Sequence, residues 1–205
     1  MKICKIEPSK HKQERILVYT EEGDLLRITK RELLQFDLYV GKVLTAQEAE
    51  ELTKSGQKSE RRAYAAQLTS RRMLSQKEVR DKVKRRGADE EEAAEIAQWL
   101  SGLGVADDAA YAEVIVRHYA AMGYGKGRVE QELFRRGIPK ELWDDAMTQL
   151  PDPAEAIQRF LKNRLKDKPL DQEQSRKLTA ALQRRGFSWQ EIQPVLHKFG
   201  QEIEE

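Results

Sequence analysis

The sequence has a single cysteine, no long apolar run and no apolar stretch near its N-terminus, and each scarcity argues against a class of protein. Cys4 cannot form an internal disulfide, so nothing indicates an oxidising compartment. No segment approaches the ~18 consecutive apolar residues of a membrane span. Residues 1–13 lack the apolar core of a signal peptide. We therefore expect a soluble, cytoplasmic protein with no membrane partner.

Candidates for catalysis and metal binding are equally scarce. The three histidines fall in different parts of the chain, so neither a metal-ligand set nor a nucleophilic triad can be assembled from them. The adjacent carboxylates Asp107 and Asp108 are interpreted as a helix N-cap followed by an acidic residue in the first turn, where the helix dipole favours negative charge. We predict a protein that is not an enzyme and that needs no cofactor or metal.

The charges are numerous and arranged in blocks. Charged residues make up 35% of the chain, the net charge is +2 and the mean hydropathy is −0.76. Residues 61–86 contain ten Lys or Arg and two acids, whereas residues 87–113 contain eight acids and no base. Such blocks either occupy separate surfaces and create local fields, or lie on helix faces that neutralise one another. The sequence leaves both arrangements open.

A repeat of about fifty residues organises the chain from residue 61 to residue 200. The segments "VKRRGAD", "LFRRGIP" and "LQRRGFS" place Gly87, Gly137 and Gly186 at separations of 50 and 49 residues. The apolar residues before each glycine recur at the same offsets in the three segments. A fixed period with matching internal offsets indicates a tandem repeat. Each unit divides into three helices, and each of the three glycines suits the left-handed position that follows a helix.

The region before the repeats differs in pattern. Two β-prone runs around Gly23 predict a hairpin, and residues 1–6 supply a third strand. Four Ser/Thr-x-x-Glu capping boxes begin helices, at Thr29, Thr45, Ser75 and Ser188. We predict a mainly α fold, with elongated tandem three-helix repeats after a small β-containing head. The predicted bounds are 1–55 for the head, 54–59 for a linker, and 60–102, 107–150 and 152–200 for the repeats.

The glycine-rich stretch "GYGKGR" (123–128) has the composition of a phosphate-binding turn. Aligning the repeats puts Gly125 at the position of Ser75, so the stretch is the turn before a middle helix, with Gly125 as N-cap. No strand precedes it, and Lys126 is followed by Gly127 where a Walker A loop has Ser or Thr. We expect no nucleotide hydrolysis here. Contact between this helix N-terminus and a nucleic-acid phosphate stays open.

An arginine pair ends the middle helix of every repeat. The helix dipole favours cations in a last turn, but three such pairs also form a periodic array of guanidinium groups suited to phosphate or carboxylate. We predict a binding surface for nucleic acid or a partner. Its candidates are Arg71, Arg72, Arg85, Arg86, Arg117, Lys126, Arg128, Arg135, Arg136, Arg164, Arg176, Arg184 and Arg185. The aromatic residues assigned to the core rather than to base stacking are Tyr111, Tyr119, Tyr124, Trp143 and Phe160.

These motifs resemble the RecX family, bacterial regulators of the RecA recombinase. The resemblance rests on "LSQKEVRDKVKRRG", "VADDAAYAEVIVRHYAAMGYGKGRVEQELFRRGI" and "LTAALQRRGFSWQEI" and covers residues 61–200. Its most specific part is the central one, where Asp107, Asp108 and Tyr111 precede the glycine-rich turn and the Gly137 ending. The resemblance implies tandem three-helix repeats that act by binding, without chemistry of their own.

The resemblance also implies partners and a role in DNA recombination, DNA repair and the SOS response. The partners are the RecA filament, its single-stranded DNA and also double-stranded DNA. The implied role is that of a regulator, mainly an inhibitor, which lies in the filament groove, limits growth or promotes disassembly, and damps recombinase, ATPase and co-protease activity. Two alternatives stay open: a nucleic-acid-binding helical module without a recombinase partner, and a protein-only adaptor. We expect a monomer, and we expect charge reversal at Arg135 and Arg136 to weaken filament binding more than folding.

Overall fold

The computed structural model of this chain describes residues 1–10, 12, 14–166 and 170–204, so His11 lies outside the described residues. The predicted mainly α fold is confirmed, since three strands are followed by helices almost throughout. The strands are β1 (Ile3–Pro8), β2 (Arg15–Thr20) and β3 (Leu25–Thr29). The helices are α1 (Lys30–Gln35), α2 (Ala46–Thr69), α3 (Gln76–Lys84), α4 (Glu90–Gly102), α5 (Asp108–Ala121), α6 (Lys126–Arg136), a 3-10 turn (Lys140–Leu142), α7 (Trp143–Met147), α8 (Pro153–Leu165), α9 (Gln172–Arg184) and α10 (Trp189–Glu204).

Two compact units make up the chain. The first comprises Met1–Arg72 and Val79–Val105, and the second comprises Met73–Glu78 and the residues from Ala106 onward. Helix α3 therefore begins in the second unit and continues in the first. The predicted bounds of the head and of the three repeats stay a prediction.

The head is a three-stranded antiparallel sheet in the order β1-β2-β3, as predicted. In the hairpin, Ile16 pairs with Ile28, and the turn contains Gly23 at a φ of +90°, which only glycine adopts without strain. Alternation along the strands buries one face, including Ile3 and Val18, against Leu52 of α2. The local β pattern and the turn glycine are sufficient to specify this sheet.

The predicted linker at residues 54–59 is wrong. This segment lies in the middle of α2, which runs unbroken for 24 residues from its capping box at Thr45. Gly56, within this segment, is buried against β3. A Cβ atom at Gly56 would stand 2.7 Å from the carbonyl oxygen of Arg27. The glycine is present because the helix and the strand approach closely, and not because the chain bends there.

Substitution of Gly56 tests this contact. In an exposed helix Gly→Ala stabilises by roughly 1 kcal/mol, but here the added methyl group meets a backbone oxygen that cannot move without moving the strand. We expect Gly56→Ala to lower the free energy of unfolding by about 1–3 kcal/mol, measured by urea denaturation. Gly102→Ala is the matched control, because nothing lies within 4 Å of its Cβ position. A stabilising Gly56→Ala would contradict the close approach.

The four predicted capping boxes are all present. In the first, the carboxylate of Glu32 accepts from the backbone N–H of Thr29 at 2.7 Å and from the hydroxyls of Ser55 and Ser59 on α2. Burial acts to raise the pKa of Glu32, but these hydrogen bonds outweigh it and leave the pKa below its ordinary value. The box therefore also fixes α1 to α2.

In the second unit each of two repeats has its own apolar core. Tyr111, Ile115, Val129 and Leu133 form the centre of the core made by α5, α6 and α7. The core of α8, α9 and α10 contains Ile157, Leu161, Leu182 and Ile192. The glycines that end the middle helices have the predicted left-handed φ, at +84° for Gly87, +69° for Gly137 and +90° for Gly186.

Candidate nucleic-acid interface

Consecutive repeats in the second unit are joined by one recurring contact. The backbone N–H of Gly125, at the start of α6, donates to the carbonyl of Arg185 at 2.8 Å, and that of Gly127 donates to the carbonyl of Gly186 at 3.0 Å. At the position equivalent to Gly125, the hydroxyl of Ser75 donates to the carbonyl of Arg136 at 2.5 Å. In this joint, the Arg-Arg-Gly end of the middle helix of one repeat packs on the N-terminus of the middle helix of the preceding repeat.

This joint changes the interpretation of "GYGKGR". Gly125 is the N-cap of α6, as predicted, with φ −86° and ψ 174°. Its N–H and that of Gly127 are already bonded to protein carbonyls. These two N–H groups are therefore not available to a nucleic-acid phosphate. The glycines allow backbone to meet backbone, because a Cβ atom on Gly125 would stand 2.8 Å from the carbonyl oxygen of Gly186.

The second arginine of the middle pair is a structural residue. Arg136 donates through Nε to Glu132 at 2.8 Å and through Nη1 to Glu78 at 3.1 Å and the Tyr111 hydroxyl at 2.8 Å. Only 24% of its side chain is exposed. Reversing this charge leaves two carboxylates without their partner. Charge reversal at Arg136 is therefore expected to lower stability as well, and the expectation that the double change at Arg135 and Arg136 weakens filament binding more than folding stays a prediction.

The second arginines of the other pairs are held in similar ways. Arg185 donates through Nη1 to the carbonyls of Met122 and Gly123 at 3.0 and 3.1 Å, and its guanidinium lies over the ring of Phe160 at 5.0 Å. In the first unit, the guanidinium of Arg86 lies 4.3 Å from the ring centre of Tyr64. All three second arginines thus stack on an aromatic residue from the first helix of their own repeat.

The first arginine of each pair is exposed. Arg85 and Arg184 form no ion pair with a described residue, and Arg135, which is bound to Glu132 at 2.5 Å, keeps 64% of its side chain in solvent. In the second and third repeats the exposed arginine therefore stands next to a half-buried arginine that stabilises the repeat, whereas in the first repeat both Arg85 and Arg86 are exposed. Sequence spacing treats the two members alike because both stand in the last helical turn.

Glu132 organises the middle pair, and sequence analysis missed it. Its carboxylate is buried and accepts from both Arg135 and Arg136. The guanidinium of Arg135 is the larger cause that lowers its pKa to about 2, against the opposing effect of burial. The signal was present as Glu-x-x-Arg-Arg, which places the acid three and four residues before the two bases on one helix face.

The remaining candidates are exposed and differ in their partners. Arg71 and Arg72 follow α2, and neither forms an ion pair with a described residue; Arg176 on α9 is in the same situation. Lys126 stands 3.8 Å from Glu130. The other three make local contacts: Arg117 with Glu113 and Gln149, Arg128 with Gln131, and Arg164 with the ring of Phe160.

The acidic block of the first unit neutralises part of the basic block. Glu92 on α4 forms a two-point ion pair with Arg61 on α2, at 2.7 and 2.8 Å, and both side chains are largely buried. Glu95 binds Lys58 at 2.5 Å. Of the two arrangements that the sequence left open, mutual neutralisation holds for these helices. Lys84 pairs with Glu90 of the acidic block at 2.5 Å, whereas Arg71, Arg72 and Arg85 form no ion pair with a described residue.

The acidic motif at the start of α5 is structural, as interpreted. Asp107 is the N-cap and accepts from the N–H groups of Ala109 and Ala110. Asp108 is buried and accepts from the backbone N–H of Gln76 at 2.9 Å. Tyr111 lies in the repeat core, and Tyr119 and Trp143 pack against it. Phe160 packs against the next core, and Tyr124 contacts Tyr119.

Comparisons with known proteins agree with this architecture. Three family models match in order: the first three-helix domain of RecX at residues 62–110, the second at 107–147 and the third at 152–196. The regulatory protein RecX of Bacillus licheniformis is 29% identical over 201 residues, which is 96% of this chain and 76% of the relative. The RecX of Xanthomonas campestris is 34% identical over 127 residues, 61% of this chain and 78% of the relative.

Solved structures give the same result. A crystal structure of regulatory protein RecX aligns with a TM-score of 0.72 and 26% identity, covering 95% of this chain and 98% of that one. RecX from Lactobacillus salivarius shares the fold, with a TM-score of 0.60 over 69% of this chain and 96% of that one. In the described part of this chain no helix is long and apolar enough to cross a membrane. With all three domain models matched in order, the chain belongs to the RecX family of regulatory proteins.

Proposed function

We propose that this chain regulates RecA, mainly as an inhibitor, by binding the RecA–single-stranded DNA filament along its groove. Bound there, it limits filament growth or promotes disassembly and so damps ATP hydrolysis, strand exchange and co-protease activity. The observation that carries the proposal is the match of all three RecX domains in sequence order. The proposal needs binding alone, with the chain as a cytoplasmic monomer and with no catalytic step on the chain.

The exposed bases support binding to a polyanionic filament. Four arginines are exposed and form no ion pair with a described residue: Arg71, Arg72, Arg85 and Arg184. A phosphate or a carboxylate can therefore bind them without displacing an internal partner. We place the contact surface on these residues together with Lys126, Arg128, Arg135, Arg164 and Arg176. We assign Arg86 and Arg136 to the repeats' own stability, and Arg117 to the edge of the surface because Glu113 and Gln149 hold it. Arg185 contributes to both stability and binding, since only its Nη1 donors are bound to carbonyls.

A tandem array suits a filament for a physical reason. Each repeat offers its exposed bases at the same place, so a chain of repeats can contact several successive subunits or phosphates at once. Bridging neighbouring RecA subunits then holds them in, or displaces them from, their active arrangement. Inhibition then follows from occupancy, and its strength falls as salt screens the contacts.

The single-stranded-DNA-dependent ATPase of a bacterial RecA, titrated with this protein at constant salt, tests the proposal. We expect inhibition at ratios well below one per RecA monomer, because one bound chain affects a growing end or a stretch of filament. An unchanged ATPase, alongside clear binding to naked DNA, would instead support a nucleic-acid module without a recombinase partner. An unchanged ATPase without DNA binding contradicts both.

A variant pair locates the surface. We expect Arg71→Ala/Arg72→Ala to raise the concentration for half-inhibition about tenfold or more, since the loss of a single charge-assisted hydrogen bond of ~1.5 kcal/mol already corresponds to about tenfold. The control is Lys30→Ala/Arg31→Ala on α1, which removes the same charge from two adjacent residues of the head. Equal effects of the two pairs would mean that net charge, and not this surface, determines inhibition.

A further inference from the structure

A cavity of about 280 Å³ opens in the second unit where the C-terminal end of α5, helix α8 and the side chain of Arg185 meet. Small residues create the space, among them Ala121 and Gly123 of the preceding repeat and Ala156 of α8. The volume is near the lower end of small-ligand pockets, about 300 Å³. One nucleotide-sized group, and not a folded domain, fits such a site.

The charged lining of this cavity is entirely cationic. Arg159, Arg164 and Arg185 line it together with the amide of Asn163, and neither Asp nor Glu is among its described lining residues. Other cavities of the chain have mixed linings, such as the one beside Arg86 that includes Glu60. Three guanidinium groups around one space repel one another unless an anion joins them. The composition therefore indicates an anionic occupant.

Two of the three guanidinium groups, those of Arg164 and Arg185, are also held in place. Both N–H bonds of Arg185 Nη1 go to the carbonyls of Met122 and Gly123, which leaves the three donors on Nε and Nη2 without a described partner. The guanidinium carbons of Arg185 and Arg164 lie 5.0 and 5.8 Å from the ring centre of Phe160. Stacked and fixed guanidinium groups lose little entropy on binding, and their planar forks match phosphate oxygens.

We propose that this cavity binds one phosphodiester unit of single-stranded DNA, with an adjoining base against the guanidinium plane of Arg164. The inference rests on the proposed function for the choice of DNA over other phosphates, and it adds Arg159 and a specific location at the junction of two repeats. Bases stack on arginine planes and aromatic rings without sequence preference. A flexible single strand can turn a phosphate into a concave site, whereas a stiff duplex presents its phosphates on a convex surface.

Fluorescence anisotropy of a labelled oligo(dT) with the full chain tests the proposal. We expect Arg159→Ala/Arg164→Ala to weaken binding about tenfold and to reduce the slope of log affinity against log salt by about 0.7 for each phosphate that the variant no longer neutralises. Lys140→Ala/Lys162→Ala is the charge-matched control, because neither lysine lines the cavity. Ala121→Trp occupies the cavity without changing charge, and we expect a similar decrease in affinity.

Several outcomes would overturn the proposal. One is an equal decrease in affinity for Arg159→Ala/Arg164→Ala and for Lys140→Ala/Lys162→Ala. Another is an Ala121→Trp variant that binds the oligonucleotide as tightly as the wild type. In both cases an unchanged midpoint of thermal unfolding shows that the variants are folded. Displacement of the oligonucleotide by a polyglutamate peptide at equal charge concentration would assign the cavity to an acidic protein segment. Equal displacement by inorganic phosphate would assign it to free phosphate.

The same experiment separates this inference from the proposed function. If the wild-type chain inhibits the RecA ATPase but does not bind oligo(dT), the cavity assignment fails and the regulatory proposal stands. If it binds oligo(dT) through the cavity and leaves the ATPase unchanged, the regulatory proposal fails and the cavity assignment stands.

Discussion

Gly186→Ala is expected to lower the free energy of unfolding of the second unit by about 3 kcal/mol or more, the largest effect among the three repeat glycines. Two costs add at this position. A left-handed φ of +90° costs any residue with a Cβ atom roughly 1–2 kcal/mol. The added methyl group would also overlap the backbone nitrogen of Arg128 and stand 3.0 Å from its Cα, and overpacking against backbone costs about 1–3 kcal/mol.

Gly87 and Gly137 are internal controls for these two costs. Gly87 has a φ of +84° and nothing within 4 Å of a Cβ atom, so Gly87→Ala shows the backbone strain alone, about 1–2 kcal/mol. Gly137→Ala meets Lys77, whose outer side-chain carbons can rotate away but whose Cβ atom, 2.8 Å from the added one, moves only with the backbone, so its cost is intermediate. Urea unfolding followed by circular dichroism measures all three. Equal decreases for Gly87→Ala and Gly186→Ala would show that the joint at α6 is not closely packed.

Glu132→Gln is expected to be the second large effect, and to depend on pH. The pKa of Glu132 is about 2 in the folded chain against an ordinary 4.5. Because the folded pKa is depressed, the stabilisation is fully present above about pH 4.5 and is lost as the pH falls toward 2. The difference corresponds to about 3 kcal/mol, and the side chain is only 5% exposed. The substitution keeps the shape but removes the charge that holds Arg135 and Arg136.

Unfolding free energies of the wild type and of Glu132→Gln at pH 7, 5, 4 and 3 check this expectation. The gap between the two proteins should be largest at pH 7 and should narrow at pH 4 and 3. Glu130→Gln, two residues away on the same helix, is the control. Its ion pair with Lys126 is 3.8 Å long and exposed, so the expected change is below about 0.5 kcal/mol. A gap that stays constant with pH would mean that the introduced amide destabilises the fold by poor packing rather than by the missing charge.

Local signals in the sequence were sufficient for the elements and their ends. A capping box such as Ser188–Glu191 lies within four residues, and the left-handed glycines need only their own backbone conformation. The hairpin at Gly23 is equally local. The repeat period of 50 and 49 residues gave the number of units, because identical local patterns fold into identical local structures.

The errors share a cause as well. Residues 54–59 have the composition of a linker, but the approach of β3 to Gly56 converts the same glycine into a packing residue of α2. The N–H groups of Gly125 and Gly127 suggest an anion site until the carbonyls of the next repeat occupy them. In each case the deciding contact comes from a distant part of the sequence.

By itself, the sequence determined that this chain is a mainly helical tandem repeat of the RecX family, with a β-sheet head and an arginine pair at the end of each middle helix. Only the tertiary structure decided that the second arginine of each pair contacts an aromatic residue of its own repeat. The aromatic partners of Arg86, Arg136 and Arg185 stand more than twenty residues before them. Helix-dipole and spacing arguments act within one or two turns, whereas stacking and ion pairing between helices depend on how those helices pack.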